Sequence, residues 1–106
     1  MEDCKESDWK LFRVKIVEWQ NRYIERVNKK ISKILADEKI SPAERFWKAE
    51  KLINRKKKST GVIIEMSRST FKLNLLRLLK EKAITLDDLS DFSSELQDEI
   101  QKIWER

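Results

Sequence analysis

Basic side chains recur every three or four residues in the segment 41–61. At about 100° per residue on a helix, this spacing gathers five of them on one side: Arg45, Lys48, Lys51, Arg55 and Lys58. Four apolar residues fall broadly on the other side: Phe46, Ala49, Leu52 and Ile53. Because a row of cations neutralises phosphates, and because the flat ring of Trp47 can stack on a base, the row predicts a nucleic-acid-binding face that also includes Lys56 and Lys57.

The positive charge is concentrated in the middle of the chain. Residues 39–80 carry 12 Lys/Arg and 3 Asp/Glu, a net +9, whereas residues 81–106 carry 3 and 8, a net −5. The basic row therefore attracts a phosphate backbone, anionic lipid or an acidic protein. Two alternatives stay open. Either the acidic C-terminal segment neutralises the row within the molecule, through Asp87, Asp88, Asp91, Asp98 and Glu99, or the row is only a solvated face while Trp47 seals the edge of the core.

Most catalytic chemistry is missing from the composition. The chain has no histidine, one glycine and one cysteine, so imidazole bases, the commonest transition-metal ligands and Gly-rich phosphate loops are all absent. Ser69 and Lys72 match the S-x-x-K spacing of some acylating enzymes, but the companion motifs are missing. The acidic group at 87–91 suits a helix start as well as it suits a cation. We expect no catalytic residue, no metal, no cofactor and no enzymatic activity.

Composition favours a single helical domain over residues 1–106. The chain is 41% charged and 40% hydrophobic. It has one Gly and one Pro, so it has few of the residues that form the turns of β-hairpins. We predict an all-α bundle of about four helices with a frayed N-terminus at residues 1–7. Apolar runs reach only three residues, far below the roughly 18 to 20 that cross a bilayer, and a single cysteine, Cys4, cannot form a disulfide within the chain. We therefore expect a cytoplasmic protein without membrane insertion.

The first helix is predicted to be long and to carry an aromatic stripe. It runs from an N-cap at Asp8 to about Ala36, with apolar residues every three or four positions. Five of these residues form the candidate partner-binding surface: Trp9, Phe12, Ile16, Trp19 and Tyr23. Such a stripe suits either burial between two neighbouring helices or the seam of a homodimer, and Leu11 and Val14 would extend the seam.

The second helix has the clearest start signal. Ser41 supplies a hydroxyl cap, Pro42 a pre-set φ and Glu44 the carboxylate that completes a capping box. The helix is expected to end near Lys58, with Gly61 in a left-handed exit.

The last third of the chain is predicted to hold a central apolar helix and a C-terminal helix. The central helix spans residues 62–82, although residues 62–64 are β-branched and could open it as a short strand. Thr85 with Asp88 resembles another capping pair and starts a short turn. Ser93 is a cap candidate that would split the C-terminal region in two.

Two functions fit this pattern. The preferred one is a small regulatory or protein-interaction module that binds a partner or itself through the first helix. The alternative is a nucleic-acid-binding regulator, although a helix-turn-helix is disfavoured because Lys57 and Ser67 stand where small or apolar packing residues are expected. The architecture loosely resembles that of bacteriocin immunity proteins and of many small phage or plasmid regulators, and architecture alone does not fix function.

Overall fold

The protein is all-α in a computed structural model that describes residues 4–106. Four α-helices follow one another in the chain: α1 at Glu6–Leu35, α2 at Pro42–Lys56, α3 at Phe71–Lys80 and α4 at Ser94–Trp104. Two short 3-10 helices, Arg68–Thr70 and Leu86–Leu89, precede α3 and α4. No strand occurs in the described part of the chain, which confirms the predicted bundle of about four helices.

The start of α1 differs from the prediction. Lys5 occupies the N-cap without a side-chain capping hydrogen bond, and helical structure begins at Glu6. Asp8, the predicted cap, lies inside the first turn, where its charge suits the positive end of the helix dipole. Of the segment predicted to fray, residues 6 and 7 are therefore helical, and residues 1–3 lie outside the described part.

The apolar stripe of α1 forms one core with α3, the 3-10 helix Leu86–Leu89 and α4. Of the two arrangements predicted for this stripe, burial between helices and the seam of a homodimer, the structure shows the first. The core contains these buried side chains from the rest of the chain: Phe71, Leu75, Leu78, Leu79, Ala83, Ile84, Leu89, Phe92, Leu96 and Ile100. Aromatic rings line its centre, and the centroids of Phe12 and Phe71 lie 4.7 Å apart.

The predicted central helix is only half as long as expected. α3 begins at Phe71, and residues 63–67 run without regular secondary structure. Ile63 is 66% exposed, so a helix through this segment would gain little burial. The buried side chain of Asn74 instead donates to the carbonyl of Glu65 at 3.1 Å and fixes the segment against α3. The alternative of a strand at residues 62–64 is not observed either.

The capping predictions after residue 40 are correct, but the chain leaves α2 in a different conformation from the one predicted. Ser41 and Glu44 form the predicted capping box, and α2 ends at Lys56. Gly61 does not have a positive φ. It is required for space, because a Cβ there would lie 2.6 Å from a ring carbon of Tyr23. The residue that does adopt a left-handed φ, of 62°, is Lys82.

Local signals also position the C-terminal elements correctly. Thr85 and Asp88 form a capping box at the 3-10 helix, and the Ser93 hydroxyl accepts from the Leu96 N–H at 3.2 Å to cap α4. The C-terminal region is therefore split in two, as Ser93 indicated.

α2 lies outside the main core and forms a two-helix hairpin with the C-terminal half of α1. Its buried residues, Ala49 and Leu52, do not belong to the core cluster. We call residues 26–58 the arm. A 30-residue helix is about 45 Å long, more than the core covers, and the molecule accordingly measures 52 × 24 × 21 Å. Because α1 is the main neighbour of α2, much of the surface of α2 faces solvent.

Candidate nucleic-acid interface

The aromatic stripe predicted to bind a partner is in the interior. The relative exposures of its five residues are 7% for Trp9, 0% for Phe12, 5% for Ile16, 1% for Trp19 and 4% for Tyr23. Elements from the second half of the same chain cover them. This corrects the sequence-based assignment of the surface, since a partner that meets the folded chain would find these side chains almost entirely covered.

The basic residues of α2, by contrast, lie largely on the surface. Six of the eight candidates for nucleic-acid binding are exposed, and we call them the basic face: Trp47, Lys48, Lys51, Arg55, Lys57 and Lys58. Ala49 and Leu52 pack inward on the opposite side of α2. The sequence-predicted separation of a charged side from an apolar side is thus correct for these residues.

Arg45 and Lys56 depart from the prediction because they turn toward α1. The Arg45 guanidinium donates to the carbonyl of Leu35 at 3.1 Å, in the last turn of α1, and its Nε atom is buried without a hydrogen-bond partner among residues 4–106. The Lys56 ammonium lies 5.9 Å from the centroid of the Tyr23 ring, a cation–π distance. Both are half-buried, so they stabilise the hairpin and do not belong to the basic face.

The net charge of the molecule is segregated between the arm and the rest. Residues 26–58 hold 12 Lys/Arg and 4 Asp/Glu, a net +8, while the remainder of the chain holds 12 and 15, a net −3. An anion approaching the molecule is therefore attracted to the arm.

The acidic C-terminal segment does not neutralise the basic face. Four of its carboxylates pair with cations outside the arm, as in Asp91–Lys15 at 3.1 Å, Asp88–Arg22 at 2.9 Å and Glu99–Lys72 at 3.0 Å. Among residues 4–106, no ion pair involves a cation of the basic face. These pairings contradict the alternative in which the acidic segment neutralises the basic row within the molecule.

Two aromatic rings stand exposed at the N-terminal half of α2. Trp47 is 62% exposed and Phe46 is 59% exposed, and the rings meet edge to face with centroids 4.9 Å apart and an interplanar angle of 83°. Sequence analysis found Trp47 but assigned Phe46 to the inward side. On a helical wheel, Phe46 lies about 90° from the direction of Ala49 and Leu52. Because α1 packs against the side of Ala49 and Leu52, it does not cover Phe46.

A shallow groove of about 390 Å³ runs beside Trp47. Its lining combines apolar and charged side chains: Ile40, Ala43, Glu44, Trp47, Lys48 and Lys51. Glu44 is committed to the capping box with Ser41. A flat apolar group can therefore enter beside the indole ring while an attached anion meets Lys48 and Lys51.

The residues considered for catalysis or metal binding have other partners. Ser69 shares a 2.8 Å hydrogen bond with Ser67, and Lys72 pairs with Glu99, so the S-x-x-K residues do not meet. Within residues 4–106, no group of three or more Asp, Glu, Cys or His side chains is arranged to hold a metal ion. Nor is any helix of that part long and apolar enough to cross a membrane.

The helix-turn-helix geometry is absent around Gly61. Eleven residues, 57–67, separate α2 from the next helical turn, whereas that motif joins its helices by a turn of about three or four residues. The departures noted at Lys57 and Ser67 are consistent with this difference. α2 therefore does not act as the first helix of such a pair.

A second exposed surface is apolar. It is a groove of about 530 Å³ between α1 and the extended segment, lined by Arg13, Ile16, Val17, Gln20, Val62, Ile63, Ile64 and Met66. Val17 is 60% exposed and Ile63 66%. Surface of this kind is suited to a protein contact.

Comparisons with protein-family models, with curated proteins and with solved structures find no match to this chain. No relative therefore assigns a role to Trp47 or to the cations around it. The exposed side chains themselves are the basis for a functional proposal.

Proposed function

We propose that this protein binds nucleic acid through the basic face of α2. One observation carries the proposal: the cations of that face are exposed and unpaired within residues 4–106, although the chain has an acidic segment that could have paired with them. Cations that are left free next to an exposed indole ring are the combination that phosphate and base contacts require.

The spacing of the cations suits a phosphate backbone. Lys48, Lys51 and Arg55 follow one another at about 4.5 and 6 Å along the helix axis, at about 1.5 Å per residue, and Lys57 and Lys58 extend the row past the end of α2. Each phosphate that is neutralised releases condensed counterions, which favours binding at low salt. The net +8 of the arm adds long-range attraction.

A membrane surface fits α2 less well. A helix that lies in the bilayer interface needs a continuous apolar face. Here the exposed side is interrupted by Glu50, which stands one turn after Phe46 and Trp47 and accepts a hydrogen bond from Asn54. Inserting the two rings would bring that carboxylate into the acyl boundary at considerable cost.

The proposal is tested by fluorescence anisotropy with labelled DNA of random sequence, as single strands and as duplex, from low to physiological salt. We expect binding that weakens steeply with salt. The variant Lys48→Gln/Lys51→Gln/Arg55→Gln should lose at least tenfold in affinity, and its slope of log K against log salt should flatten by about two units, at roughly 0.7 per contact on a single strand.

A matched control separates this face from net charge. Lys10, Lys102 and Arg106 are exposed cations outside the arm, and Lys10→Gln/Lys102→Gln/Arg106→Gln removes the same charge. Its affinity should stay close to that of the wild type. Equal losses in the two triple variants, no binding at low salt, or binding only to anionic vesicles or an acidic peptide would refute the proposal.

Protein binding is the second candidate, and the apolar groove beside Val17 and Ile63 favours it. The regulatory, partner-binding or homodimeric role predicted from the sequence would then use this groove in place of the buried stripe. Sedimentation at micromolar concentration tests self-association, and Val17→Glu should shift a dimer toward monomer. A wild-type monomer throughout would remove the homodimer. The predicted cytoplasmic location suits either candidate and stays a prediction.

A further inference from the structure

We propose that the ligand of the basic face is single-stranded nucleic acid, and that one unpaired base stacks on Trp47 inside the groove beside it. This inference rests on the proposed function and specifies its substrate class. Its basis is the position of the Trp47 indole ring, which lies largely in solvent.

Trp47 is not part of the buried core of residues 4–106. The inward side of α2 is filled by Ala49 and Leu52, and Trp47 is 62% exposed on the other side. Its contact with Phe46 is edge to face, which restricts the ring while most of its surface remains in water. A large ring held in this way is a stacking surface at low conformational cost.

Stacking on Trp47 requires a base that is not already stacked. In a duplex the faces of the bases are covered by their neighbours, and only the edges are available in the grooves. An unpaired base in a single strand can be splayed onto an aromatic ring. Trp47 therefore discriminates against duplex unless a base is flipped out, which costs a few kcal/mol.

The face has no free amide for reading adenine in a duplex, and its Arg and Lys side chains, which can bond to guanine edges, serve phosphates equally well. Reading adenine in the major groove commonly uses the amide of Asn or Gln, and the only such residue of α2 is Asn54. Its amide nitrogen is engaged with Glu50. Binding should consequently tolerate different sequences, as is typical of single-strand binders that combine stacking with phosphate contacts.

The surroundings of the groove give the strand a direction along α2. Lys48 and Lys51 line the groove together with Trp47, so phosphates attached to the stacked base lie within their reach. The Glu44 carboxylate, on the N-terminal side, repels a phosphate there. The strand is therefore expected to run from Trp47 past Arg55 toward the lysines at the end of α2.

The experiment compares labelled oligo(dT) of 20 nucleotides with a 20-base-pair duplex at one ionic strength. Wild type should prefer the single strand by at least tenfold. Trp47→Leu should weaken single-strand binding by about 5- to 150-fold, the range for loss of one stacked base. Its salt slope should not change, because the indole ring carries no charge.

Matched variants distinguish stacking from general damage. Trp47→Phe keeps an aromatic ring and should retain most of the affinity, whereas Trp104→Leu removes a half-exposed indole on α4 and should change nothing. Quenching of tryptophan fluorescence by oligo(dT) should be lost in Trp47→Leu and kept in Trp104→Leu. Unchanged circular dichroism would exclude unfolding as the cause.

The outcomes separate the two proposals. If duplex binds as tightly as the single strand, or if Trp47→Leu binds like the wild type while Lys48→Gln/Lys51→Gln/Arg55→Gln does not, the single-strand inference is refuted and nucleic-acid binding stands. If neither nucleic acid binds at low salt, both are refuted.

Discussion

The carboxylate of Asp8 accepts two hydrogen bonds from Ser93, one from the backbone N–H at 2.9 Å and one from the hydroxyl at 2.6 Å. The two residues are 85 positions apart and join the first turn of α1 to the N-cap of α4. The same hydroxyl accepts from the Leu96 N–H. One buried carboxylate therefore holds the cap of another helix in place.

Replacing Asp8 should destabilise the fold. Asp8→Ala leaves the Ser93 N–H without its acceptor in a site where Asp8 is only 4% exposed. Hydrogen bonds to a charged group contribute about 1.5 to 3 kcal/mol each, so we expect the loss of both to lower the free energy of unfolding in urea by at least about 3 kcal/mol. Asp98→Ala, at an exposed position of α4, is the control and should stay within about 0.5 kcal/mol. A loss at Asp8 no larger than that control would contradict the assignment.

Asp8 also illustrates what the sequence could and could not predict. The caps at Ser41, Thr85 and Ser93 depend on residues three positions away, and all three are correct. The role of Asp8 depends on a residue at the other end of the chain, so local spacing suggested a cap for its own helix. Partners distant in sequence are decided by tertiary packing.

The candidate site shows the same difference between features set by local spacing and features set by tertiary packing. The spacing of the cations on α2 follows from helical geometry and is predicted correctly for Lys48, Lys51 and Arg55. The inward turn of Arg45 depends on where α1 ends, and the exposure of Phe46 depends on α1 being the main neighbour of α2. Neither condition can be determined from periodicity within α2.

Gly61 should not tolerate a side chain. Its φ is not positive, so alanine is compatible with the backbone, but the added Cβ would lie 2.6 Å from Tyr23 Cδ2. Overpacking of this kind costs about 1 to 3 kcal/mol, and urea denaturation of Gly61→Ala should show a loss in that range. In the variant Gly61→Ala/Tyr23→Leu the two effects should be less than additive, because the ring is gone. Full additivity would show that the clash is not the cause.

Stability should depend on pH through Asp88. Burial by itself would raise the pKa of Asp88, but the Thr85 N–H and the Arg22 guanidinium hold this pKa below its ordinary value of 3.8. A carboxyl whose pKa is lowered by folding stabilises the protein above its unfolded pKa, and that contribution is lost as the pH falls through the folded pKa.

Urea titrations of wild type and Asp88→Asn from pH 7 to pH 3 measure this contribution. The variant should be less stable by up to about 1 kcal/mol at pH 7, by a constant amount down to about pH 5, and by a shrinking amount below about pH 4. A difference at pH 3 that equals the one at pH 7 would rule out the charge of Asp88 as its source.

Substitutions of Arg45 and Lys51, which lie on the same helix, should have different effects: one on stability and the other on nucleic-acid binding. The Arg45 guanidinium bonds to Leu35 at 3.1 Å, whereas Lys51 is exposed and lines the groove beside Trp47. We therefore expect Arg45→Gln to lower the free energy of unfolding by about 1 kcal/mol and to leave the salt slope of DNA binding unchanged. Lys51→Gln should leave stability within about 0.5 kcal/mol and reduce the steepness of that slope by about 0.7, the share of one phosphate on a single strand.

Urea denaturation and anisotropy on the same two preparations give both quantities. The reverse pattern, with Arg45→Gln flattening the slope and Lys51→Gln destabilising the fold, would place the phosphate contacts on the α1 side of the hairpin, where Arg45 and Lys56 lie.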